Sequence, residues 1–187
     1  MTRRLIAPAL ALAALASAQA AQAQQQACVA PADVSDAAIY AMPIIFDAAR
    51  TTCANRLARN GFIATGGEAF VAPFRAGQDK AWPGAYRLIK VFMAQKGAGE
   101  EAGGVDIGQM LGGMPESTVR PFVDGLLGQM IAEEIKPADC GKIERAMELN
   151  SPLPRENVGG LVAFLIEIAK LDNPPVCGAA QPPRAAK

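Results

Sequence analysis

The sequence predicts an all-α fold, a small bundle of about five helices closed by two disulfides after a cleaved signal peptide. Three observations carry that reading. Apolar residues return at spacings of three and four along several long segments. Prolines and glycines punctuate the chain between those segments. The β-branched runs, such as Val162 to Ile168, keep helical period over too great a length for a strand.

Residues 1–23 have the layout of a secretory signal. Arg3 and Arg4 give a short positive region, and Leu5 to Ala16 run uncharged and rich in Ala and Leu. Small-x-small cleavage sites follow at Ala18-Gln19-Ala20 and Ala21-Gln22-Ala23, of which the second leaves Gln24 as the new N-terminus. A membrane anchor needs about 20 apolar residues, and Ser17, Gln19 and Gln22 interrupt this run. Of a twin-arginine signal, only the arginine pair and Ile6 are present. Cys28 lacks the aliphatic residue expected three positions ahead of a lipid-bearing cysteine, so it reads as an ordinary one. The expected organisation is a signal over 1–23, one helical domain over 24–177 and a disordered tail over 178–187, in a periplasmic or secreted protein.

Each helix has its own signature. Pro43 to Arg59 places Met42, Phe46, Ala49, Cys53 and Leu57 on one face and stops at Asn60-Gly61. Ser35-Asp36 starts a short preceding helix that Pro43 separates or kinks. Gly66-Gly67 marks a turn, and Glu68 to Phe74 forms a short helix ended by Pro73. Lys80 to Lys96 follows, with Asp79 as N-cap and Pro83 in its first turn. Ala85, Leu88, Ile89, Phe92 and Met93 line its inner face. Helix resumes after Pro115 and runs to Ile135, restarting or kinking at Pro121, with Phe122, Leu126, Met130 and Ile131 inward. Asp139 caps a helix from Cys140 to Leu149. After Ser151-Pro152-Leu153-Pro154, Arg155 to Leu171 puts Val158, Leu161, Val162, Leu165, Ile168 and Ala169 on one face. Seven glycines between Gly97 and Met114 oppose a regular helix there.

Composition excludes several functions. The chain contains no histidine, which removes Ser-His-Asp and Cys-His catalysis and every imidazole-built zinc site. Its formal net charge is 0, and loss of Arg3 and Arg4 leaves the mature chain slightly acidic, with no basic cluster to bind nucleic acid. No mature segment has the length and apolarity of a membrane span.

Four cysteines, Cys28, Cys53, Cys140 and Cys177, lie outside any C-x-x-C pair and read as two disulfides of an exported chain. Local closure predicts Cys28–Cys53 and Cys140–Cys177, for which the chain-entropy model assigns roughly 3.5 and 3.9 kcal/mol.

No catalytic constellation, metal site or cofactor motif is expected. Glu100, Glu101 and Asp106, and Glu133 with Glu134, read as solvated surface, without EF-hand spacing. The glycine pairs at 103–104 and 112–113 lack the rest of a phosphate loop. Ser117-Thr118 reads as helix capping, and no S-x-x-K motif is present. The candidate binding residues are Leu88 and Phe92 together with Ile107, Met110, Leu111 and Met114. The last four lie in a glycine-rich segment too apolar for a solvating linker, either an irregular plug or a flap that meets an apolar ligand or partner helix. The expected role is a non-enzymatic binding, interaction or chaperone-like accessory protein with a protein partner or apolar ligand in the cell envelope. The alternative is a histidine-free, carboxylate-dependent hydrolase of envelope glycans.

Overall fold

The computed structural model describes residues 28–96, 116–169 and 174–177. The expected signal peptide, the tail and the whole of Gly97 to Met114 lie outside the described residues. Within them the chain is helical, in six helices: α1 (Pro31–Thr52), a single turn α2 (Phe62–Thr65), α3 (Gly67–Lys96), α4 (Glu116–Glu134), α5 (Cys140–Asn150) and α6 (Arg155–Ile168). A short 3-10 turn, Pro137–Asp139, leads into α5.

Four prolines read as helix starts, kinks or stops lie inside continuous helices. α1 passes through Pro43, α3 through Pro73 and Pro83, and α4 through Pro121. A proline inside a helix removes one backbone hydrogen bond and crowds the preceding turn, but burial along the whole helix outweighs that local cost. Val34, Ile39, Tyr40, Pro43, Phe46 and Ala49 are all buried along α1. The two helices expected on either side of Pro73 are therefore one α3 of 30 residues, about 45 Å long.

α1 is the helix on which the others are laid. α3 runs antiparallel to it, in a register fixed at both ends. Asp33 pairs with Arg87 at 2.7 Å, and Asp47 pairs with Arg75 at 2.8 Å. Tyr40, Phe46, Val71, Phe74, Trp82, Val119, Val123 and Met147 share the main core. A second, smaller cluster sits beyond it at the start of α1, where Val29, Val34 and Ala163 meet Leu88, Val91, Val162 and Ile166.

α6 meets α1 with small residues. A Cβ on Gly159 would lie 2.6 Å from the Ser35 hydroxyl, 2.8 Å from the Ser35 carbonyl and 3.0 Å from Ile39. The inner face is therefore Val158, Gly159, Val162, Ala163 and Ile166. This corrects the expected face: Leu161, Leu165, Ile168 and Ala169 point outward, because the close approach needs glycine and alanine where they meet α1. A similar correction applies to α4. Val119 and Val123 are buried, whereas Phe122, Leu126 and Met130 are exposed.

Both expected cysteine pairings are overturned. The bridges are Cys28–Cys177 and Cys53–Cys140. α1, read as broken at Pro43, is continuous, and Cys28 and Cys53 flank its two ends. Its 22 residues hold those ends about 33 Å apart, and a disulfide requires Cα atoms within about 7 Å. Cys53 instead reaches the first residue of α5, while the segments around Cys28 and Cys177 meet in a parallel bridge, Val29 to Val176. The chain-entropy model gives these longer loops about 5 and 4.6 kcal/mol.

The seating of α6 generates a paired prediction. Gly159→Ala forces atoms apart in a packed contact and should cost roughly 1–3 kcal/mol. A Cβ on the neighbouring Gly160 meets nothing within 4 Å, so Gly160→Ala should stabilise the helix by about 0.5–1 kcal/mol. Urea unfolding of the two variants checks both signs, and equal shifts would contradict this packing.

Candidate functional site

Among the described residues, the expected binding residues divide. Leu88 is half-buried in the second cluster. Phe92 is 43% exposed, which corrects its expected inward place. One turn before it, Leu88 lies level with the start of α1, since Arg87 meets Asp33 and Gly84 abuts Asp36. Phe92 extends past the end of the helix that would have covered it. Ile107, Met110, Leu111 and Met114 lie outside the described residues.

The polar side chains at the centre tie helices together. The Tyr40 hydroxyl donates to Asp124 on α4. Arg120 Nε donates to the Tyr40 oxygen at 3.3 Å and its Nη1 to Asp79 on α3 at 2.6 Å. The guanidinium also lies 5.5 Å from the Tyr40 ring centroid and 5.8 Å from that of Trp82, within cation–π range. Burial, and then the hydrogen bond to Asp124, push the Tyr40 phenol far above its ordinary value. A phenol held protonated in the core is a hydrogen-bond clasp and a poor general base. The Trp82 indole N–H, also buried, finds no acceptor among the described residues.

A shallow groove of about 360 Å³ runs between α1 and α4 over Ile44, Ala48, Thr51, Gly128 and Ala132, with Thr52 and Asp47 also lining it. Asp47 is its only carboxylate. The hydrogen bonds from Arg75 hold that carboxyl below the usual range, so it stays ionised and does not suit a general acid. Of the other acidic residues singled out, Glu133 and Glu134 are exposed, with Gln129 donating to Glu133 at 2.9 Å. Glu100, Glu101 and Asp106 lie outside the described residues. No cluster of three metal-ligating side chains occurs among the described residues.

The surface features that periodicity missed are two apolar stripes. On α6, Leu161, Phe164, Leu165 and Ile168 recur at i, i+3, i+4 and i+7 and are each 44–55% exposed. On α4, Phe122, Leu126 and Met130 form a second row at four-residue spacing. A signal for the first was present: residues 161–169 are apolar around almost the whole circumference, with Glu167 the one charge. A helix of that kind is ordinarily covered on every side. Its small inner residues then decide which large side chains face out.

The site is thus a surface, carried by an all-α chain stapled by two disulfides. No protein-family model, curated protein or solved structure matches this chain. No described helix is long and apolar enough to cross a membrane.

Two carboxylates on α1 act on stability in opposite directions. Burial, reinforced by Asp33, raises the Asp36 carboxyl, while Arg87 and Lys80 oppose that rise. A carboxyl whose folded value lies above its unfolded one destabilises the fold when ionised and recovers stability as pH falls through the folded value. Asp47, depressed by Arg75, stabilises at neutral pH and loses that contribution as pH falls through its folded value. Asp36→Asn should therefore raise the urea midpoint at pH 7, with the gain vanishing in acid. Asp47→Asn should lower it at pH 7 by a small amount, both partners being partly exposed, with the deficit closing in acid. A midpoint-against-pH series on both variants checks the two signs.

Proposed function

We propose that this is an exported, non-enzymatic interaction protein of the cell envelope, an accessory or chaperone-like subunit that offers the outer face of α6 to a protein partner. One observation carries the reading. Leu161, Phe164, Leu165 and Ile168 stand half-exposed in a row on a helix that meets α1 through Gly159 and Ala163. Scattered exposed apolar residues need no explanation, but a contiguous stripe of four is the kind of feature that marks interaction surfaces. Apolar anchors at i, i+3, i+4 and i+7 are also how a helix is read by a partner groove or helix.

The signal pattern over 1–23 and the two disulfides support a periplasmic or secreted location, where such bonds persist. Among the described residues nothing favours the hydrolase alternative, since hydrolysis of that kind needs two carboxylates across one cleft and the groove between α1 and α4 offers one.

Export is tested by intact mass. The protein recovered from the periplasm should begin at Gln24 or Ala21, and retention of Met1 would refute the signal. The interaction surface is tested with a photocrosslinking residue at Phe164, set against one at the exposed Glu148 on α5. A discrete protein adduct is expected at 164 only. Phe164→Asp should abolish a complex so identified while moving unfolding stability by no more than about 0.5 kcal/mol. Absence of any adduct at 164, or equal adducts at both positions, removes the reading.

A further inference from the structure

We propose that the two disulfides have different tasks: Cys53–Cys140 is a permanent staple, and Cys28–Cys177 is a latch that a dithiol reductant can open to loosen α6. The functional consequence rests on α6 being the interaction surface; the latch itself does not. Accessibility separates the bonds. Cys53 and Cys140 are 1% and 2% exposed, buried at the junction of α1 and α5. Cys28 is exposed and Cys177 half-buried. Thiol–disulfide exchange requires a thiolate to approach a sulfur in line, so reach decides which bond reacts first.

What each bond holds also differs. The staple closes on the main core, where Phe46, Phe74, Val119 and Met147 keep the helices packed. The latch closes on little else. Among the described residues, the segments around Cys28 and Cys177 share one bridging pair and two backbone hydrogen bonds, Val29 N–H to Pro175 at 2.9 Å and Cys177 N–H to Val29 at 2.8 Å. Pairing that short is marginal in water without a covalent tie. Val29 is buried only in the second cluster, where with Val34 and Leu88 it covers Ala163, Val162 and Ile166. Those are inner-face residues of α6, directly behind Leu161, Phe164, Leu165 and Ile168. Once the latch opens, Val29 is no longer held against them, and the second half of α6 loses part of its seat while the main core remains.

The exchange balances. One thiolate of the dithiol attacks the Cys28 sulfur, and Cys177 leaves as a thiolate. The second thiol of the reductant then attacks the mixed disulfide and releases Cys28. Two electrons and two protons pass to the cysteine pair, and the dithiol becomes a disulfide.

The test uses the native mature chain with graded dithiothreitol, trapping free thiols with N-ethylmaleimide and mapping the labelled peptides. Cys28 and Cys177 should be labelled roughly tenfold or more faster than Cys53 and Cys140. Hydrogen exchange of Cys28→Ser/Cys177→Ser should then show amides of 161–168 exchanging roughly tenfold or more faster than in the native chain, with those of 40–49 unchanged. If that variant is not recovered folded, the same measurement on wild-type chain reduced and alkylated at Cys28 and Cys177 reads the same quantity. Simultaneous labelling of both pairs, unchanged protection of α6, or unfolding of the whole chain once the latch is open would each overturn the proposal. None of these readouts depends on whether Phe164 crosslinks to a partner.

Discussion

The contact on which the rest of the arrangement depends is the close approach of α3 and α6 to α1. Gly84 on α3 leaves room for Asp36, whose own Cβ would otherwise lie 2.6 Å from an added methyl. Gly159 on α6 does the same for Ser35 and Ile39. Side chains at these positions would hold the helices apart and dissolve the second cluster. Because the approach is made through small residues, the rotation of α6 about its axis is fixed. Gly159 and Ala163 must face α1, which turns Leu161, Phe164, Leu165 and Ile168 away from it. The outward apolar stripe is thus a direct product of how α6 is packed.

Length is the second constraint, and it sorts the cysteines. α1 is a rigid rod that keeps Cys28 and Cys53 apart, so each bond must join elements that are distant in sequence. Cys53 draws α5 onto the end of α1, where the Glu144 carboxylate accepts the Ile63 backbone N–H at 3.0 Å and Met147 enters the core. Cys28 draws the segment after α6 back to the start of α1.

The fold class was legible because periodicity survives over long segments, and α5 and α6 begin where their capping and proline signals place them. The prolines misled because their cost is local and visible in the sequence, whereas the burial that offsets it is spread over two or three helices and is not. Local closure gave the wrong cysteine pairing, since it weighs distance along the chain, and α1 runs straight through Pro43 as one rod that keeps Cys28 and Cys53 apart. The face of α6 was ambiguous for a different reason. Where a helix is apolar nearly all round, spacing admits more than one inner face, and only the shape of the neighbour chooses between them. Leu88 was placed correctly because it lies level with α1. Phe92, a turn later, was not, because periodicity records direction and says nothing of where the opposite helix begins.

The polar clasp around Tyr40 and the apolar stripes make opposite contributions. Tyr40, Asp124, Arg120 and Asp79 join α1, α3 and α4 through directional contacts that a slipped packing would leave unpaired. Tyr40 is the buried member. An unpaired buried polar group costs about 1–3 kcal/mol, so its contacts with Asp124 and Arg120 penalise a slipped α4, whereas Asp79 stands in solvent and adds little. The stripes on α4 and α6 do the reverse. They add little to the stability of the isolated chain, since half of each side chain still meets water, and they invite non-specific association. Packing fixes which residues of α6 face out, but it does not require them to be large and apolar where polar ones would serve solubility. On the reading proposed above, an occupant of the α6 face would account for that choice, because buried area withheld from the fold becomes available to the complex.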